Sequence, residues 1–225
     1  MIKVSVSKLD QFRLFVDSDE QERLFKNPEH ITAEDFASYI KGTKEQSKHA
    51  AMGDAFHDII QDPDTALDAY CKAARDGTFG FLAPNGIVFP YKSITDCLHN
   101  IDRTFPFEVK GEKEFKVGND IVTVTCRADQ LKFRNTNDFK AIFRDFDFDK
   151  FHNSYQWRLY LSIFGAEAFF YYVYEFSDAT LELKEITDPF CLYPYNGMDD
   201  DISELISDFL YYTRKFNLIQ YMERP

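Results

Sequence analysis

The feature that most constrains this chain is a change of hydrophobic period near residue 106. Before it, apolar residues recur at helical spacing. After it they alternate through Phe107 to Val117 and Ile121 to Phe133, the period-2 pattern of strands covered on one face. The run Ala168 to Phe176 is apolar and aromatic nearly throughout, which suits a strand covered on both faces. Such strands, interleaved with helices, call for one mixed sheet between helical layers, an α/β arrangement. The spacing predicts further strands over 138–143 and 180–187, with turns at Gly118-Asn119-Asp120 and Asn135-Thr136-Asn137. Helices are expected near 7–16, from Thr32-Ala33-Glu34-Asp35, at 45–61, after Pro63, at 93–104, at 150–164 and at 202–216, with a loop from Gly77 to Pro90.

A chain of 225 residues suits a single domain, with a mainly helical part over about 1–105 and the sheet with its later helices over about 106–225. Its 24 Phe and 13 Tyr exclude a disordered chain. The absence of an apolar run of roughly 18 residues, and of a leader-like opening, gives the expectation of a cytoplasmic protein with no membrane partner. Cys71, Cys97, Cys126 and Cys191 are widely spaced, which argues against a zinc knuckle or a disulfide framework. The net charge of -12 excludes a general nucleic-acid coat protein. It leaves room for a local basic groove, or for a carboxylate site whose sign a divalent cation changes.

Asp138-Phe139-Lys140 puts a carboxylate and an ammonium on one strand face, a spacing that suits metal-dependent hydrolysis: the acid holds magnesium or manganese while the lysine orients or deprotonates water and offsets phosphate charge. Read alone, the pair is more often a solvated strand face. Asp129 lies on the preceding strand as a second metal ligand or a strand-end acid. His57 lies on a helix of small residues as a metal ligand or a structural histidine. Gln156 and Tyr160 stand one turn apart on a helix face, where they bind phosphate or simply pack.

In this order, Gly53-x-x-x-His57, Asp129, Asp138-x-Lys140 and Gln156-x-x-x-Tyr160 resemble the motifs of RecB-type nucleases of the PD-(D/E)XK superfamily, which include phage and bacterial exonucleases. Ser5-x-Ser7-x-Leu9-x-x-Phe12 is similar to that family's N-terminal helix start, and Glu114 to an acid often found before its hairpin. The resemblance implies a restriction-endonuclease-like mixed β-sheet of about five strands flanked by helices, and a metal-dependent deoxyribonuclease, in the first instance an exonuclease. His57, Asp129, Asp138 and the Phe139 carbonyl would hold Mg or Mn, Lys140 would position the water, and Gln156 and Tyr160 would bind DNA. The products would carry a 5'-phosphate and a 3'-hydroxyl. Cys126 replaces a glycine of the pattern, and the cysteine positions of iron-sulfur relatives are not matched, so no iron-sulfur cluster is expected. Besides DNA, a second copy of the chain or a recombination protein is a possible partner. The alternative is a catalytically silent acidic interaction module of the same fold within a recombination, replication or defence complex. A regular hairpin closed at 135–137 would leave Asp129 roughly 16 Å from Asp138 along the strands. Sharing one metal therefore requires a bend, bulge or shifted register near Leu131 to Arg134.

Overall fold

The computed structural model describes residues 2–25, 30–74 and 79–222. The chain opens with a short strand that the sequence pattern did not reveal. This strand, β1 (Ile2–Ser5), runs straight into α1 (Val6–Phe25). The Ser5 hydroxyl accepts the Lys8 N–H at 3.4 Å, so the start signal falls at Ser5 rather than Ser7, and the helix outruns the expected 7–16. Thr32 and Asp35 form the expected capping box of α2 (Ala33–Lys41). Ser47 caps α3 (Lys48–Gln61), and Pro63 opens α4 (Pro63–Ala73). The expected loop from Gly77 to Pro90 contains a small hairpin, β2 (Gly80–Leu82) with β3 (Val88–Pro90); its residues 77–78 lie outside the described residues. The following helix, α5 (Tyr91–Leu98), ends earlier than expected.

The central strands are β4 (Phe107–Val117), β5 (Asp120–Lys132) and β6 (Asn135–Ile142). They are followed by α6 (Phe148–Asn153), α7 (Gln156–Phe164), β7 (Ala168–Phe176), β8 (Leu183–Ile186), β9 (Phe190–Leu192) and α8 (Met198–Lys215). Among the described residues seven strands form one sheet: the path β1-β5-β6-β7-β8, with β4 on β5 and β9 on β7. The pairs β1–β5 and β6–β7 are parallel and the rest antiparallel, so the five-strand path is the mixed sheet expected. Alternation along β7 feeds two cores. Phe169, Tyr171 and Val173 join Phe12, Trp157 and Phe209 on the side of α1, α7 and α8. Tyr174 and Phe176 join Phe56, Ile59 and Phe89 on the side of α3 and the small hairpin.

Two corrections bear on the site. The hairpin between β5 and β6 closes through Phe133-Arg134, because Lys132 pairs with Asn135; the expected turn at 135–137 is strand. Phe133 takes up the required positive φ of 56°, a role normally left to glycine or asparagine, so the Asn-rich segment next to it drew the prediction. The helix expected at 150–164 is broken at Ser154-Tyr155. There the Asp10 carboxylate accepts both the Ser154 hydroxyl and the Tyr155 N–H at 2.8 Å, starting a new helix with Gln156 in its first turn.

Candidate metal and nucleic-acid site

The two-residue turn sets the register. Gln130 pairs with Asn137, and continuing that register puts Asp129 opposite Asp138, replacing the long separation expected from a turn at 135–137. The ladder stops at Gln130, and the Asp129 side chain takes over its role: Oδ2 accepts the Phe139 N–H at 2.7 Å. On this side of β5, β1 pairs with Val122 to Thr125 and β6 with Gln130 to Lys132, leaving residues 126–129 between them with β4 alone alongside. In that interval the Tyr160 hydroxyl donates to the Arg127 carbonyl at 2.8 Å.

Asp138 is 1% exposed and holds Lys140, whose Nζ lies 3.1 Å from Oδ1 and 2.8 Å from Oδ2. The Gln156 amide donates to Oδ1 at 2.8 Å, while buried Oδ2, despite the nearby ammonium, has no aligned hydrogen-bond donor among the described residues. Ser154 accepts the Gln156 N–H at 3.0 Å, so a chain of hydrogen bonds runs from Asp10 through α7 to Asp138. His57 Nδ1 lies 3.6 Å from Asp129 Oδ2, within ion-pair reach but beyond a hydrogen bond. Burial, followed by the charge of Asp138, pushes the Asp129 carboxyl up to about 6, against the lowering effects of His57, Lys140 and the Phe139 N–H. Burial alone would lower the Lys140 ammonium, but Asp138 and Asp129 outweigh it and hold its pKa above the usual lysine value. Burial and the Asp138 charge also hold the Tyr160 phenol far up its range, so it stays a neutral donor.

These residues fit a hard divalent cation. Two carboxylates on adjacent strands face one region, one of them carries a buried oxygen without a hydrogen-bond donor, and the other is strained by its own charge. Carboxylate oxygens with one imidazole suit Mg or Mn. Among the described residues no three His, Cys, Asp or Glu side chains form a ready-made cage: Asp138 faces Lys140 and Gln156, whereas Asp129 faces His57 and the Phe139 amide.

Beside the pair opens a cleft of about 1020 Å³ bordered by Lys140, Gln156, Tyr160, Arg127 and the start of α1. Other cations close to the site in sequence are engaged elsewhere: Lys132 with Asp102, Arg134 with Glu167, and Arg158 over the rings of Tyr155 and Trp157. Phe146, Phe148 and Phe151 gather around Phe190. Glu114 is exposed opposite Thr123, and the level of Asp129 on β4 belongs instead to Glu108, between the pairs Phe107↔Gln130 and Val109↔Ala128. Glu108, at φ 56°, ion-pairs with Arg127 Nε and accepts the Gln61 amide at 2.9 Å. Sequence reading missed it because Glu108, Glu112 and Glu114 look alike on an alternating, charged strand.

No protein-family model and no curated protein matches the chain. Among solved structures it is similar to a candidate exonuclease from Eubacterium rectale (13% identity, 99% of this chain and 83% of that one, TM-score 0.54). It is also similar to a protein described as SSO0001 (15% identity, 94% and 76%, TM-score 0.51). A phage-related exonuclease from Haemophilus somnus aligns over 96% of both chains at 13% identity with a TM-score of 0.48. At 13–15% identity the likeness to the first two is one of fold, and the fold is the restriction-endonuclease-like architecture expected from the PD-(D/E)XK motifs.

Proposed function

We propose that the protein is a metal-dependent deoxyribonuclease, an exonuclease, that hydrolyses phosphodiester bonds at the junction of β5 and β6. The observation that carries this reading is the register that sets Asp129 opposite Asp138 with Lys140 on Asp138. The solved structure described as a candidate exonuclease, with the same fold, agrees with it. His57, Asp129, Asp138 and the Phe139 carbonyl would hold Mg or Mn, which when bound supplies charge neutralisation and activation of water. Lys140, kept protonated by its two acids, acts by donating: it orients the attacking water and offsets phosphate charge rather than removing a proton. Gln156 braces Asp138, Tyr160 braces β5 at Arg127, and both border the cleft in which the DNA backbone lies.

The test is to incubate linear and circular DNA, single- and double-stranded, with the protein and Mg or Mn, alongside Asp138→Asn and Lys140→Gln. Degradation of linear DNA by the wild type, abolished in both variants, is the expected result. DNA left intact by the wild type with either metal contradicts the reading and favours the silent interaction module.

A further inference from the structure

Lys110 on β4 and Arg127 on β5 are directly opposed cross-strand neighbours, and both border the cleft. Like charges so placed repel and cost stability, and among the described residues only Arg127 of the two has an acid, Glu108, beside it. Each residue has features that point to an anion between them. Lys110 has no carboxylate partner among the described residues. Arg127 is 63% exposed, yet it is held at both ends: its carbonyl by Tyr160, its Nε by Glu108, which Gln61 orients in turn. Glu108 lies against Nε without an aligned hydrogen bond, which leaves the two terminal nitrogens of the fork for a ligand. Glu108 reaches Arg127 from a left-handed backbone conformation that costs a non-glycine residue about 1 kcal/mol. In a molecule of net charge -12, the cleft wall carries Lys3, Lys110, Arg127 and Lys140; Lys3 pairs with Glu112, Arg127 with Glu108 and Lys140 with Asp138, which leaves Lys110 without an acid among the described residues.

We propose that Lys110 and Arg127 form a phosphate-binding site that grips the nucleic-acid backbone next to the reacting phosphodiester. The assignment rests on the nuclease reading and adds two backbone-gripping residues to it. Arg127 stands two residues from Asp129, about 7 Å along β5, the scale of one nucleotide step.

The experiment measures binding of a short fluorescein-labelled oligothymidylate by anisotropy in EDTA, over a salt series, for wild type, Arg127→Ala and Lys110→Thr, with a melting curve for each. Expected are a loss of affinity of roughly tenfold in Arg127→Ala and a salt slope shallower by about 0.7 in each variant. Lys110→Thr is also expected to melt about 1–2 °C higher because the opposed charge is gone, a combination that a purely structural residue does not produce. Wild-type affinity and slope in both variants overturn the proposal; if the wild type still degrades DNA, the nuclease reading stands without it. A wild type that neither binds nor cuts DNA removes both readings together.

Discussion

At the scale of the residue, the candidate site depends on Asp138 being buried against the Lys140 ammonium and the Gln156 amide. Its ion pair with Lys140 is no source of net stability, since a buried pair costs about as much in desolvation as it returns. Removing one partner is a different matter, and Lys140→Gln is expected to lower stability by about 3 kcal/mol in addition to abolishing cleavage. Gln156→Leu removes the amide that donates to Asp138 Oδ1; a supporting partner of this kind is worth roughly 10- to 100-fold in activity or metal affinity. Cleavage kinetics at several Mg concentrations check this, and unchanged metal dependence would count against the role of Gln156. Asp129 sets the pH response of the metal-free protein. Its carboxyl is raised from 3.8 to about 6 in the folded state, so the folded protein binds the proton more tightly than the unfolded chain does. Stability from this group is therefore fully present below about pH 4, falls as pH rises towards 6, and is flat above. The fall is at most about 3 kcal/mol, near 1.4 kcal/mol per pH unit. Urea unfolding in EDTA at a series of pH values, compared with Asp129→Asn, isolates it.

At the scale of the element, the site is made by two interruptions of regular structure. The short turn at Phe133-Arg134 sets which acids face each other, and the break before α7 places Gln156 over Asp138. The far end of α7 is seated on β4 at Gly111, where an added Cβ would stand 2.7 Å from the Phe164 ring and 2.9 Å from Ile163 Cγ2. Gly111→Ala is expected to cost about 1–3 kcal/mol by overpacking, read as a fall of several degrees in melting temperature. The elements with strong periodic or capping signals were legible in the sequence: the box at Thr32 and Asp35, the helix ending before Pro63, the alternation of β4 and β5, and the doubly covered β7. What escaped has a physical cause in each case. β1 is four residues long and pairs with a strand more than a hundred residues later, a contact no local pattern carries. The turn used a phenylalanine where turn chemistry favours the neighbouring asparagines, and the helix break came from the distant Asp10.

At the scale of the whole molecule, a chain of net charge -12 gathers Lys3, Lys110, Arg127 and Lys140 along one cleft, the place where the proposed reading puts nucleic acid. Among the described residues no helix is long and apolar enough to cross a membrane. The sheet has a gap where neither β1 nor β6 runs beside β5; Asp129 stands at the end of that gap opposite Asp138, and the cleft bordered by Arg127 and Lys140 opens beside it. The residue types at the site were legible from their order along the chain; their meeting was not, because it depends on a register that one residue of slippage would undo. The central claim is that Asp129 and Asp138 jointly hold a divalent cation beside Lys140. Calorimetric titration of Mn with the wild type, Asp129→Asn and Asp138→Asn tests it most directly. The account predicts saturable binding to the folded wild type that is lost in each single variant while both stay folded by circular dichroism; binding of wild-type strength in either folded variant would contradict it.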